Sequence, residues 1–255
     1  MRKVIAAAVC ALACAAGTAA VAQDSDWDFF EDPDRALTQA GVEYAGGQAI
    51  AAQCLDGALT LVLTGLPESP EMLRMQATRG DGRSAAQIWL PLAEAGTYRS
   101  TSPGREARFM QGGGDYSVRT GDDADIAVSA TFDLPPQSAN LDRVLTACGW
   151  ALEDERDLLP EATVTLDAHG PRYQAPPYRP PPVPEREISC IVRDMQLRDC
   201  RADHPPYANT RRGQDLIRFV RGQRVYALPG TDPAAAEGSV YHVIASNQVL
   251  VLVNR

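Results

Sequence analysis

The alternation of apolar and polar positions divides the chain into two β-rich stretches separated by a segment that has neither strand nor helix period. In "GGQAIAAQCLDGALTLVLTGLP" (46–67) two β-compatible apolar runs flank Asp56-Gly57, a strong hairpin signal. "MLRMQATRGDGRSAAQIWLPL" (72–92) repeats the plan: Leu73, Met75 and Ala77 alternate, a Gly-Asp-Gly turn follows, and a second strand carries Trp89. "GREARFM" (104–110) reads as one or two helical turns, and "QGGGDYSVRTGDDADIAVSATFDLP" (111–135) as another strand pair. Asp32-Pro33 predicts a short helix with Gly41 as its stop, because it supplies an N-cap and a proline at the first helical position. In "SANLDRVLTACGW" (138–150), Leu141, Val144, Leu145 and Cys148 recur at i, i+3, i+4 and i+7, which is one face of a helix. The stretch to residue 160 therefore predicts a mostly antiparallel β domain with flanking helices.

Beyond it, "PRYQAPPYRPPPVP" (171–184) holds seven prolines. Such a stretch cannot pair in a central strand and prefers extended polyproline geometry, about 3.1 Å per residue. It is expected to be a stiff linker over 161–187, with a proline-rich ligand for a partner domain as the alternative. Residues 188–255 then predict a small α+β module. It comprises a hairpin in "SCIVRDMQLRDC" (189–200), a Pro-Pro-Tyr turn at 205–207 and a helix near 211–221 that buries Leu216, Phe219 and Val220. Val240, His242 and Ile244 alternate in a strand, Ser246-Asn247 suggests a turn, and a last strand runs from Val249 to Val253. The fold class expected is α+β in two domains, 23–160 and 188–255.

Residues 1–22 change the expected compartment. Arg2 and Lys3 precede an Ala-rich apolar core, and Ala20-Val21-Ala22 precedes Gln23 as a small-x-small cleavage signal. That is the layout of a secretory signal peptide. A retained membrane anchor and a lipoprotein modified at Cys14 are the rival readings. Cleavage leaves a chain expected in the periplasm without a membrane span. It would contain 33 acidic residues and 22 Arg (24 basic residues less Arg2 and Lys3), hence 22 − 33 = −11, and no Lys. Residues 23–160 carry 23 acids against 10 Arg, whereas 183–255 carry 8 against 10. The balance excludes a general nucleic-acid binder, which needs a net basic face.

Four cysteines remain after cleavage: Cys54, Cys148, Cys190 and Cys200. An even count in an exported chain favours disulfides, with three possible connectivities. Without C-x-x-C or H-x-x-x-H there is no zinc or thioredoxin-like signature. Cys148 lies on the apolar helix face and Cys54 at a strand end before a hairpin turn, which predicts Cys54–Cys148. Cys190 pairs with Cys200 if the hairpin is symmetric about Met195 (191 with 199, 192 with 198, 193 with 197) and closes with a three-residue loop.

Candidate chemistry is sparse. "DSDWD" (24–28) begins like a calcium loop but fails at Phe29, where Gly is needed, and at Arg35, where Glu is needed, so a flexible acidic terminus is expected. "DDAD" (122–125) reads as a loop between strands, and "QGGGDY" (111–116) is not a phosphate loop. His169, His204 and His242 allow a Ser-His-Asp hydrolase whose site is not visible in sequence, but no G-x-S-x-G elbow is present. No catalytic, metal or cofactor residue is assigned. Arg211, Arg218 and Arg221 share a stripe of the C-terminal helix, with Arg212 and Arg224 nearby. Such a stripe suits carboxylates or phosphates of a partner, a lipid headgroup or the cell wall, or docking on the acidic N-terminal unit, with a plain solvated helix face as the alternative.

The module from 188 resembles a TonB-type C-terminal domain. The resemblance is carried by "SCIVRD", "LRDCRADHP", a helix with "DLIRFV" and a strand after "AEGSVYHV", in a variant whose hairpin holds two cysteines. It implies a β-hairpin, helix and further strand. In energy transducers that unit contacts outer-membrane transporters, a role requiring an uncleaved N-terminus. The N-terminal unit is similar to type VI secretion-associated VasI-type envelope proteins in its early Cys, "QIWLPL", "ATFDL" and closing "LTACGW". The function expected is that of a non-catalytic envelope accessory or adaptor protein binding another protein or a cell-wall component.

Overall fold

A computed structural model of the chain describes residues 25–122, 124–166, 186–245 and 250–252. The leader, the proline run at 171–184 and the Ser246-Asn247 turn lie outside them. The first unit contains β1 (Asp28–Asp32), β2 (Leu37–Glu43), β3 (Ala49–Leu55), β4 (Ala58–Thr64), β5 (Leu73–Arg79), β6 (Ser84–Pro91) and β7 (Tyr98–Ser100). α1 (Pro103–Met110), β8 (Gly114–Thr120), β9 (Ser129–Leu134) and α2 (Ala139–Ala147) complete it. The second contains β10 (Val164–Leu166), β11 (Arg186–Arg193), β12 (Gln196–Ala202), α3 (Pro205–Ala208), α4 (Arg211–Val220), β13 (Val225–Ala227), β14 (Val240–Ala245) and β15 (Leu250–Leu252). The chain is thus α+β, mostly antiparallel sheet with few helices.

Nine strands of the first unit form one sheet, ordered β1-β2-β3-β4-β7-β6-β5-β8-β9. The short β7 is its narrow waist, paired with two residues of β4 and three of β6. The two halves on either side fold over a common core that contains Leu61 and Leu63 from one and Tyr116 and Phe132 from the other. Their far ends meet where the Tyr44 ring lies 5.2 Å from that of Phe132 and its hydroxyl donates to the Asp133 carbonyl at 3.3 Å. β5 follows its sequence alternation, with Leu73, Met75 and Ala77 buried. α2 buries Leu141, Val144 and Leu145 against β2 and β3, and the Cys54–Cys148 disulfide joins β3 to its C-terminus (Cα–Cα 5.6 Å).

The helix expected from Asp32-Pro33 to Gly41 is instead a 3₁₀ turn, Pro33–Arg35, followed by β2. Ala36 takes a left-handed conformation (φ 46°) that ends the turn, and every residue of Leu37–Glu43 then pairs with β3. Pro33 does stand at the start of the turn, but the Asp32 side chain makes no capping hydrogen bond and the turn ends after three residues. The acidic terminus is likewise not a free tail. Trp27 is buried in the core, Asp26 accepts from the backbone N–H of Asn140 at the start of α2 (3.2 Å), and β1 forms a sheet edge.

In the second unit the sheet order is β12-β11-β14-β15, with α4 packed against β12. The 161–166 part of the expected linker belongs to this module: β10 pairs with β13, and Glu161 bridges Val240. The Cys190–Cys200 disulfide is present (Cα–Cα 4.1 Å), but the hairpin register differs from the symmetric one. Val192 pairs with Leu197 and Arg193 with Gln196, leaving a two-residue turn at Asp194-Met195, both with positive φ. Such a turn matches the right-handed strand twist better than a three-residue loop. A bulge between Ser189 and Ile191, opposite Asp199 (φ 46°), absorbs the extra residue and restores the expected register at Ser189↔Arg201. On α4, Ile217 rather than Phe219 joins Leu216 and Val220 as the third buried position, and Phe219 is only partly covered.

Candidate functional site

Three places carry the polar chemistry: the seam between the two units, the arginine face of α4, and a cleft beside β6. The seam is built by residues 148–160 of the first unit. Asp154 caps the 3₁₀ turn Glu155–Leu158, which presents Arg156 to the second module. Arg156 donates to the Ser189 carbonyl (2.7 Å), the Ser189 hydroxyl (2.8 Å) and the Asp199 carbonyl (2.5 Å). Burial lowers its pKa, with Arg201 adding to that effect and Asp203, Asp154 and Asp199 opposing it. Arg201 reaches back to Asp154, which is also 3.8 Å from Arg108. Arg108 forms a fork on Asp157, Nε at 2.6 Å and Nη2 at 3.1 Å. Burial disfavours the Arg108 charge, but Asp157 and Asp154 more than offset it and hold the pKa above its ordinary value. Beside this network the Trp150 and His204 rings stack, and a His204 ring nitrogen lies 3.0 Å from the Cys148 carbonyl.

A serine, a histidine and an aspartate do converge here, but in the wrong order for a hydrolase. The fully buried Ser189 hydroxyl donates to Asp203, and Asp203 in turn lies 3.8 Å from Nδ1 of His242. The carboxylate therefore stands between hydroxyl and imidazole, whereas a nucleophilic triad needs the imidazole between them. Arg156 also occupies the serine oxygen. Of these groups Ser189 takes part in docking, by accepting from Arg156 of the first unit.

The five arginines singled out by sequence lie on or just after α4. Arg218 is 76% exposed and pairs with Asp215 at 3.0 Å. Arg221 is exposed, with Nη2 at 3.5 Å from the Cys200 carbonyl. Arg211 and Arg224 are exposed, Arg212 is half-buried, and none of the three holds a carboxylate among the described residues. Docking on the N-terminal unit uses Arg105, Arg156 and Arg201 instead, so the stripe is not the element that joins the units.

The third place, a cleft of about 550 Å³, is bordered by β6, α1 and residues 157–161. Gln87 is 3% exposed at its wall; its Oε1 accepts from Trp89 Nε1 (3.1 Å) and Tyr116 Oη (2.8 Å). Burial raises the Tyr116 pKa well above its ordinary value. Neither Gln87 nor Arg156 was visible as functional in the sequence, since each acquires its role from partners about 30 residues away. No cluster of His, Cys, Asp or Glu among the described residues could hold a metal ion.

Comparison with protein-family models, with curated proteins and with solved structures finds no match for this chain.

Proposed function

We propose that the chain is an exported, non-catalytic envelope adaptor that works in the periplasm and binds another protein or a cell-wall component through the arginine face of α4. The observation that carries this reading is a local basic surface on an acidic protein. Arg211, Arg218, Arg221 and Arg224 are exposed on a chain of net charge −9, and three of them, Arg211, Arg221 and Arg224, hold no carboxylate among the described residues. Guanidinium groups so placed suit bidentate contacts to carboxylates or phosphates. The two disulfides fit an oxidising, extracytoplasmic compartment, and no helix among the described residues is long and apolar enough to cross a membrane. Support for a reused TonB-type module comes from a disulfide-bearing hairpin, a helix on its sheet and a following strand.

The test replaces Arg211, Arg218, Arg221 and Arg224 by Gln in the exported chain. Envelope retention and in-cell crosslinking to its partner should both fall at least tenfold, with an unchanged thermal midpoint. Unaltered retention and crosslinking would remove the arginine face from the function.

A further inference from the structure

We infer that the open edge of β6 is a docking site for an extended, uncharged peptide segment of a partner protein, added to the sheet as an extra strand. β7 covers β6 only from Trp89 to Pro91. The Thr101 N–H donates to the Ile88 carbonyl at 3.0 Å, so the backbone polar groups of Ile88 point to the β7 side. Strand alternation directs those of Ala86 and Ser84 the same way, away from β5. Along Ser84–Gln87 no described strand lies on that side. An unpaired strand edge is a template for main-chain hydrogen bonds. Here it opens into the 550 Å³ cleft, within the usual size of ligand sites.

Two further observations define the occupant. The Gln87 side chain uses its oxygen on Trp89 and Tyr116, which leaves Nε2 as a buried donor with no partner at the cleft wall. A donor buried without an acceptor carries its full desolvation penalty, so a carbonyl brought to it gains more than it would in water. The guanidinium groups of the rim are already matched: Arg83 to Asp81 (2.8 Å), Arg105 to Glu161, and Arg108 to Asp157. An acidic side chain would have to break one of these pairs, and a basic one would have to displace the interaction that Glu106, buried at the same wall, already makes, so electrostatic complementarity selects an uncharged segment. Leu158, 82% exposed, offers that segment an apolar contact. The wall is continuous with the interdomain seam, because the turn that carries Asp157 into the seam also lines the cleft. Four residues of β6 span about 13 Å, enough for a four- or five-residue strand.

The test selects a phage-displayed random octapeptide library on the whole exported chain and resynthesises the enriched peptides. Expected are uncharged consensus sequences that protect the Ser84 and Ala86 amides from hydrogen exchange. Ala86→Pro deletes an outward N–H without touching the β5 ladder, and should weaken fluorescence-anisotropy binding at least tenfold. Leu158→Asp, at an exposed position, should weaken it as well and guards against misfolding of the proline variant. No enrichment, or binding without protection at 84 and 86, would overturn the inference. Enrichment of the chain's own 171–184 sequence would do so too, by giving the edge an internal occupant.

Discussion

Trp150 of the first unit stacks on His204 of the second, ring centroids 5.0 Å apart and planes inclined by only 16°. The stack stands at the edge of the charged seam: the Arg108 guanidinium carbon lies 6.0 Å from the indole centroid. Since His204 also meets the Cys148 carbonyl, the end of α2 that carries the first disulfide is part of the same contact. Docking is thus coupled to the core of the N-terminal unit.

Gly104 sets the position of that indole. A Cβ at residue 104 would overlap the six-membered ring of Trp150, so only glycine lets α1 approach it. Gly104→Ala should cost roughly 1–3 kcal/mol by overpacking, although alanine is the better helix former. Urea unfolding should show a lowered midpoint, with the C-terminal module beginning to unfold separately as the stack shifts. A midpoint equal to the parent's would mean that the indole can move freely, contrary to this account.

Arg108 offers a second test. Its side chain is 5% exposed and forms the fork on Asp157, whereas Asp154 is also held by Arg201. Removing one member of a buried pair leaves an uncompensated charge, about 3–5 kcal/mol when fully buried. Asp157 keeps some contact with water, which reduces the expected cost of Arg108→Ala to roughly 2–3 kcal/mol. A double-mutant cycle with Asp157→Ala should return a coupling of about 1–3 kcal/mol. Additive single effects would show that the fork contributes only packing.

The strands were legible wherever burial alternates locally, as at Leu73, Met75 and Ala77; Cys54–Cys148 followed from the helix face and strand end that carry its cysteines, and Cys190–Cys200 from their opposition across a hairpin. The failures share a physical cause. The Asp32-Pro33 cap was read as a helix start because the burial of Leu37 and Val42 depends on a sheet formed by later residues. The hairpin register needed the backbone preference of a two-residue turn, which "RDMQ" does not advertise as Asn-Gly would. The seam and the β6 edge were invisible for a stronger reason. Arg156 meets Ser189 across 33 residues, and among the described residues β6 is left uncovered along Ser84–Gln87 because β7 is three residues long.

The two disulfides should contribute unequally. Cys54–Cys148 spans a separation of 94 residues and Cys190–Cys200 one of 10. In the chain-entropy model their loss costs about 4–5 and about 2.5–3 kcal/mol respectively. Double Cys→Ser variants compared by urea denaturation should therefore rank in that order. The reverse order would show that the hairpin staple holds the module together beyond its loop entropy.

Alkaline pH should expose the buried tyrosines. Tyr241, 2% exposed, has its pKa pushed up to about 12 by burial, and Tyr44 and Tyr116 are raised as well. The ordinary tyrosine value near 10 describes the unfolded chain. Between the two values the unfolded state has lost more protons than the folded one, so stability falls as pH rises. Below about pH 10 the contribution is intact; through pH 12 Tyr241 alone accounts for a loss of about 3 kcal/mol. Its hydroxyl has no hydrogen-bond partner among the described residues, so Tyr241→Phe removes a buried polar atom without breaking a bond there. The variant should be as stable as the parent at pH 7, or up to about 1 kcal/mol more stable, and should lose stability less steeply from pH 10 to 12. Urea midpoints across that range, with tyrosinate absorbance recorded alongside, give the comparison. Identical slopes for parent and variant would mean that Tyr241 ionises freely in the folded protein.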